Sequence, residues 1–368
     1  MRHAERLTFD LRRGLPVVLR GTEREALVVA VEGLDDAALA EAVRLSEGVP
    51  TQVLSFHRLA SLGLVIDGMG ASLPFPSLAF TAADVLRQAI GRGAALAPGL
   101  RPMNAEEHAA LLLMRRAQLI PSALVFALGQ AQHVELARLR AEGVLLAAGT
   151  DTVIALCESG PGAVTKVSEA RVPLANLGES RFVVFREADG CREHVAVILG
   201  ERSRWASAVP VRVHSTCLTG DLFGSQRCDC GAQLRNSLAT IQQLGGGVVL
   251  YLAQEGRGIG LANKLRAYCL QDEGLDTIDA DQVIGFGKDE RDYRAAHEML
   301  VALDIPKIEL LTNNPEKVNA LRAAGIDVAS RRALFGQLTE RNRNYLHTKA
   351  SRHGHLLDDL LADIVHRR

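Results

Sequence analysis

An excess of charge of either sign is the first thing missing from this 368-residue sequence. Its 42 Lys and Arg stand against 43 Asp and Glu, a formal net charge of −1. That balance argues against a protein whose main task is to coat nucleic acid, so any phosphate-binding site has to be local. Long hydrophobic runs are missing too: GVLLAAG at Gly143–Gly149 and the run Gly247–Leu252 are too short to span a bilayer. The start, MRHAERLTFDLRRGLPVV, has neither an apolar h-region nor a cleavage pattern, and a cytoplasmic protein with no membrane partner is expected. A disulfide framework is absent as well, since Cys157, Cys191 and Cys269 are scattered and read as reduced thiols. What is present is an ordinary soluble composition, 48% apolar and 23% charged, with mean hydropathy +0.08.

The length predicts two domains. In the first half, Pro16–Leu19, Leu27–Val31, Gln52–Ser55 and Ala123–Leu128 read as strands. Asp35–Leu45, Thr81–Ile90 and Ala105–Ala117 read as helices. The alternation places the chain in the α/β (α+β) class. The charged groups Glu23–Glu25 and Glu106–His108 read as solvated faces. Glu158-Ser-Gly-Pro-Gly breaks the pattern, and the boundary is set so that residues 1–167 form one domain and 168–368 the other.

Chemistry concentrates in the second half. In VRVHSTCLTGDLFGSQRCDCGAQL, Cys217, Cys228 and Cys230 follow C-x10-C-x-C spacing. Buried apolar cysteines are the bland alternative, but the surroundings are polar, and thiolates suit zinc. A structural zinc site takes four protein ligands, whereas three leave a position open for water or substrate. Only His214 is close enough in sequence to be a fourth. A strand Val209–Val213 precedes this segment and a helix with Leu234, Leu238, Ile241 and Leu244 at helical spacing follows it. Val248–Leu252, a buried strand, ends in QEGRGIG, Gln254–Gly260, a turn that is neither a Walker A loop nor a full G-x-G-x-x-G. Its Glu255 could accept from a purine's ring N–H and amino group, and Arg257 could grip phosphate. Tyr268 reads by itself as a helix packing residue. Gly274–Tyr293 reads as a polar, glycine-rich connection between helices, with Asp289 and Arg291 in its charged tail. A strand Ile308–Leu311 feeds a helix with Asn314 as N-cap and Pro315 in its first turn, which puts Thr312 and Lys317 where a phosphate could be held. The tail around Asn344–Lys349 and Gly354–Leu357 is predicted helical.

The motifs HSTCLTGDLFGSQRCDCGAQL, QEGRGIGLANKLRAYCLQD, DERDY, LLTNNPEKV and YLHTKA occur in the order found in GTP cyclohydrolase II, and the second half resembles that family from near Val172 onward. The resemblance implies zinc on Cys217, Cys228 and Cys230, and a Mg²⁺-bearing GTP substrate. It implies GTP contacts from Arg212, Val213, His214, Ser215, Thr216 and Gln233, then from Glu255, Gly256 and Arg257, and from Thr277, Thr312 and Lys317. Asp289 would be the proton acceptor, Arg291 the nucleophile toward the α-phosphate, and Tyr268 a catalytic-pocket residue. A homodimer is implied as well. Thr216 stands where the family usually has an acid. The first half resembles 3,4-dihydroxy-2-butanone 4-phosphate synthase in GLPVVLRGTEREALVVAVE and AALLLMRRAQLIPSALVFAL, but only Glu23 and Glu25 remain of the acidic metal loop. The family's Gly-His-Thr-Glu signature is not preserved at Ala105–His108. A degenerate, inactive synthase-like domain is therefore expected there.

Overall fold

The computed structural model describes residues 2–96, 98–129, 132–159 and 164–336. The linker residues Gly160–Gly162 and the tail motifs at Asn344–Lys349 and Gly354–Leu357 lie outside the described residues. The chain is mixed α/β, with two seven-stranded sheets among the described residues.

The first sheet is built from β1 (Val17–Arg20), β2 (Glu25–Ala30), β3 (Glu47–Ser55), β4 (Gly70–Pro74), β5 (Arg101–Pro102), β6 (Ser122–Ala127) and β7 (Leu146–Gly149). Their order is β5-β4-β3-β6-β2-β1-β7, and β1 with β7 is parallel among otherwise antiparallel pairs. Successive side chains point to opposite faces of a strand. Val17, Leu19, Val28 and Val125 accordingly pack with Leu111 and Met114 of the helix Ala105–Arg116. Val18, Leu27, Val29 and Phe126 pack on the opposite face with Leu39 and Val85. Burial on both faces is why ALVVA in β2 is continuously apolar rather than alternating.

The second sheet contains β8 (Val164–Leu174), β9 (Gly178–Glu187), β10 (Glu193–Leu199), β11 (Val209–Ser215), β12 (Gly247–Leu252), β13 (Lys307–Leu311) and β14 (Asp327–Arg332). Its order is β14-β13-β11-β12-β10-β9-β8. Strands β12, β11, β13 and β14 run parallel to one another, and β10, β9 and β8 continue antiparallel. One face packs on the helices Arg294–Ala302 and Pro315–Ala323 through Met299, Leu300 and Leu321, the other on the helix Cys230–Gln243 through Ile241.

Local signals explain where the elements begin. The Asp35 carboxylate accepts from Ala38 N–H at 2.7 Å, and Thr81 and Asp84 form a capping box at the helix Ala82–Ile90. Asn314 accepts from Glu316 N–H at 2.8 Å with Pro315 in the first turn, as its sequence predicts.

Two expectations meet a different arrangement. The stretch Gly274–Tyr293 contains a helix, Thr277–Ile284, where a loop-like connection was expected. Asp276 caps it by accepting from Ile278 and Asp279 N–H, and Gly285 closes it with φ of 103°. The compact units also depart from a contiguous division at 167/168. One unit is Met1–Gly160 with Ala262–Glu290, and the other is Pro161–Leu261 with Arg291–Arg368. The helix Thr277–Ile284 packs on Phe56–Ser61 and Ala82–Ile90, which draws its segment into the first unit.

Replacing Asn314 with Ala removes the acceptor for Glu316 N–H. A loss of about 1 kcal/mol is expected, read as a lower urea midpoint for the unit that contains β13.

Candidate active site

Parallel strands deliver the residues of this site. Strand β11 has β12 on one side and β13 with β14 on the other, so the direction of sheet growth reverses there. In open α/β sheets, ligands bind beyond the carboxyl ends of strands at such a reversal. The chain leaving β11 carries Thr216 and Cys217, that leaving β12 carries Gln254–Arg257, and that leaving β13 carries Thr312–Asn314.

The three sulfurs meet. The Sγ atoms of Cys217, Cys228 and Cys230 all lie within 4.8 Å of one another, and Cys217 and Cys228 are 3.6 Å apart. Tetrahedral zinc, with Zn–S near 2.3 Å, separates its sulfurs by about 3.8 Å. Zinc therefore fits this donor set. Gly220 makes the approach possible: a Cβ there would sit 2.7 Å from the Cys228 sulfur and 3.1 Å from that of Cys217. The Cys228 thiol is pushed up to about 11, first by its hydrogen bond with Cys217. Among the described residues no fourth donor joins the group. His214, the nearest candidate in sequence, instead shares its Nε2 with both Asp221 oxygens at 3.1 Å. Burial pushes its imidazole below the usual range, so the neutral ring donates from Nε2.

Asp221 is the residue that sequence reasoning passed over. Its buried carboxylate accepts from Cys217 N–H at 2.9 Å, from Tyr251 Oη at 3.0 Å and from His214. It thus fixes the backbone of one sulfur donor and the ring beside it. The only sequence hint was an acid four residues after a cysteine. His194 was also missed. Fully buried, it accepts from Ala253 N–H on Nδ1 at 3.0 Å and meets Glu187 through Nε2 at 3.1 Å, tying down the exit of β12.

That exit is the turn Glu255–Gly258. Gly256 and Arg257 both take left-handed φ, 61° and 62°. For a non-glycine residue this is sparsely populated backbone, costing on the order of 1 kcal/mol or more, and such strain clusters at functional sites. Glu255 is held in place: one oxygen accepts from Leu218 N–H, next to Cys217, at 2.6 Å, and the other from Gly256 N–H at 3.0 Å. Gln254 donates to the Asp292 carbonyl, which ties the turn to the DERDY motif.

Beyond β11 and β13 lies a group of buried cations. Arg212 donates to the Leu311 carbonyl at 2.9 Å and to Gln233 Oε1 at 2.7 Å, and burial lowers it to about 10. Lys317 donates to the Val213 carbonyl at 2.9 Å. The Thr312 hydroxyl accepts from Asn314 N–H. Tyr293, unremarked in the sequence, has the Lys317 ammonium 5.8 Å and the Arg291 guanidinium 5.7 Å from its ring centre. Thr216 donates its hydroxyl to the Leu252 carbonyl at 2.6 Å, so here the residue in place of the family's acid links β11 to β12. Four buried polar atoms at these strand ends, Arg212 Nε, His214 Nδ1, Ser215 Oγ and Gln254 Oε1, have no hydrogen-bond partner among the described residues. An unsatisfied buried group costs roughly 1–3 kcal/mol, and a cluster of them calls for a ligand.

The expected residues are thus divided. Arg212–Thr216, Gln233, Glu255–Arg257, Arg291, Thr312, Lys317 and the three cysteines belong to the second unit. Tyr268, Thr277 and Asp289 belong to the first. Tyr268 has the Lys264 ammonium 5.7 Å from its ring centre, Thr277 opens the helix Thr277–Ile284, and Asp289 is half-buried.

Replacing Asp221 with Asn weakens its hold on Cys217 and His214. Zinc affinity is expected to fall about 10- to 100-fold, measured by competition with a chromogenic chelator while circular dichroism stays unchanged.

A family model for GTP cyclohydrolase II matches residues 165–333. GTP cyclohydrolase-2 of Xylella fastidiosa (strain Temecula1) is 45% identical over 358 residues, 96% of this chain and 87% of that protein. GTP cyclohydrolase-2 of Azospirillum brasilense is 38% identical over 97% of this chain and 94% of its own length. Among solved structures, a two-domain 3,4-dihydroxy-2-butanone 4-phosphate synthase from A. baumannii covers 91% of this chain and 99% of its own. The identity is 16% and the TM-score 0.35. Similarity at this level across nearly the whole chain, with the family's motifs at the strand ends, makes the protein an enzyme of the GTP cyclohydrolase II family.

Proposed function

We propose that the protein opens the imidazole ring of GTP, removing C8 as formate and releasing pyrophosphate, to leave a diaminopyrimidinone ribosyl phosphate as a riboflavin precursor. The observation that carries this reading is the meeting of three sulfurs beside a strained Glu255–Arg257 turn at the ends of parallel strands. Zinc is held by Cys217, Cys228 and Cys230. When bound it supplies the Lewis acidity that makes water nucleophilic at neutral pH.

The chain's own residues supply recognition and charge. The Glu255 carboxylate accepts two backbone N–H groups and, with about four lone-pair sites, has capacity left for a purine's N–H and amino group. Gly256 lets the backbone come close to the base. Val213, His214, Ser215 and Thr216 line the β11 exit. Arg212, with Gln233 holding its guanidinium, joins Arg257, Thr312 and Lys317 against the phosphates, which arrive with Mg²⁺. Arg291 attacks the α-phosphorus as pyrophosphate leaves and Asp289 takes the guanidinium proton; water then hydrolyses the Arg291–phosphorus bond to release the nucleotide, and Tyr268 orients the opening ring. Thr277 contacts the nucleotide.

The amino-terminal half is read as a synthase-like domain without synthase activity. Three acids of the segments Glu23–Glu25 and Glu106–His108 pair with arginines: Glu25 with Arg140 at 2.6 Å, Glu106 with Arg24 at 3.4 Å and Glu107 with Arg101 at 2.6 Å. A Mg²⁺ site needs carboxylates to displace part of its water. The near-neutral charge supports an enzyme with no nucleic-acid partner, which we assign to the cytoplasm. No described helix is long and apolar enough to cross a membrane. The working form is a homodimer.

Zinc-loaded protein given GTP and Mg²⁺ is expected to release formate and pyrophosphate at equal rates, with both lost in Cys228→Ser. Formate alone would indicate a relative that keeps the triphosphate; neither product, with zinc and GTP bound, would indicate a scaffold. Tyr293→Phe keeps the ring between Arg291 and Lys317 and is expected to retain turnover. Tyr293→Leu removes the ring and is expected to lower kcat/KM about tenfold, in line with a cation–π contribution of ~1–2 kcal/mol.

A further inference from the structure

The segment Ala262–Glu290 carries Tyr268, Thr277 and Asp289, and it forms one compact unit with the amino-terminal half, to which several of its residues are hydrogen-bonded. Its first helix, Leu261–Asp272, is fastened on one face. Asn263 Nδ2 donates to the Gln118 carbonyl at 2.9 Å, and Arg266 pairs with Glu32 at 3.1 Å. The same Glu32 accepts from Ile120 N–H, so its carboxylate joins this helix to the turn before β6.

The second helix, Thr277–Ile284, is fastened at its end. Arg58, 1% exposed, donates to the Gln88 and Gly91 carbonyls at 3.0 and 2.7 Å and to Val283 at 3.4 Å. One guanidinium thereby serves the carboxyl ends of two helices, where a cation is favoured by the helix dipole. Ser55 Oγ donates to the Gly285 carbonyl at 2.6 Å. A Cβ at Gly285 would lie 3.0 Å from Ser55 Oγ and 3.2 Å from Pro121, on a backbone already at φ 103°.

Asp289 follows directly. Glu290 pairs with Arg115 at 2.5 Å, while its other oxygen accepts from Gly287 N–H at 2.8 Å. His57 borders Gly287, with Nε2 3.0 Å from where a Cβ would stand. Lys288 and Asp289 are therefore the tip of a short loop held at Gly285 by Ser55 and at Glu290 by Arg115. Both holding side chains belong to the amino-terminal half.

We propose that the amino-terminal half is a scaffold that positions the Ala262–Glu290 segment, with Arg115, acting through Glu290, as a positioning residue for Asp289. This rests on the proposed role of Asp289 as proton acceptor. Arg58 and Ser55 set the end of the preceding helix, and Asn263 and Arg266 set the helix that bears Tyr268. Displacing a reacting group by about 1 Å can cost on the order of a hundredfold in rate. The half is retained, on this reading, because the segment has been fitted to it.

The test uses the full chain, as Arg115→Gln, Glu290→Gln, Arg115→Lys, the reversed pair Arg115→Glu with Glu290→Arg, and Ser55→Ala as a variant that removes one hydroxyl. Backbone hydrogen exchange over residues 285–290 is read together with kcat and KM for GTP and with zinc content. Arg115→Gln and Glu290→Gln are expected to speed exchange at the loop and lower kcat about 10- to 100-fold, with KM and zinc near wild type. Arg115→Lys and the reversed pair are expected to recover part of both, and Ser55→Ala to give a smaller change in the same direction. Unchanged exchange, or faster exchange at unchanged kcat, would overturn the proposal. If the wild-type chain releases no formate from GTP, the proposed reaction fails, while the exchange arm still decides whether Arg115 holds the loop.

Discussion

Three sulfurs held within 4.8 Å impose the constraint to which much of the second unit answers. Thiolates at that separation repel one another unless a cation lies between them, and backbone must come close to bring them together. Gly220 gives that room, and Gly231 lets the short helix Leu218–Asp221 touch the start of the helix Cys230–Gln243: a Cβ on Gly231 would meet the Gly220 carbonyl at 2.2 Å. Asp221 then fixes the Cys217 amide, while His214 and Tyr251, stacked with ring centres 5.6 Å apart, hold Asp221. Outer partners of this kind set the direction of metal ligands.

Around this centre, a protein of almost no net charge gathers cations locally. Arg212 and Lys317 are buried, and each donates to a backbone carbonyl. A carbonyl steadies the side chain while leaving its cationic charge in place. Burial at Arg212 is strong enough to lower its pKa to about 10 while leaving it protonated near neutral pH. In the first unit Glu25, Glu106 and Glu107 each meet an arginine directly.

Much of the fold was legible because its signals are local. The caps at Asp35, Thr81 and Asn314 each act over two or three residues, and the apolar runs of β2, β6 and β12 mark strands buried on both faces. The helix Thr277–Ile284 was missed although Asp276 and Gly285 mark its ends, since the polar residues between them mask any apolar face. Asp221, His194 and Tyr293 were illegible for another reason. Each gains its role from a partner on a different strand or loop, and nothing in a single acid, histidine or tyrosine announces that partner.

The sequence by itself determined the sulfur spacing, the Gly-rich turn, the capped helix after β13 and the order of the family's motifs, because these are encoded in adjacent residues. Tertiary structure alone decided that His214 serves Asp221 instead of completing a four-ligand site, and that Thr216 links two strands. It also decided that the segment bearing Tyr268, Thr277 and Asp289 is packed with the amino-terminal half. Those outcomes depend on which groups far apart in the chain compete for the same hydrogen-bond partner or the same buried surface. Such competition is settled only when the chain has folded.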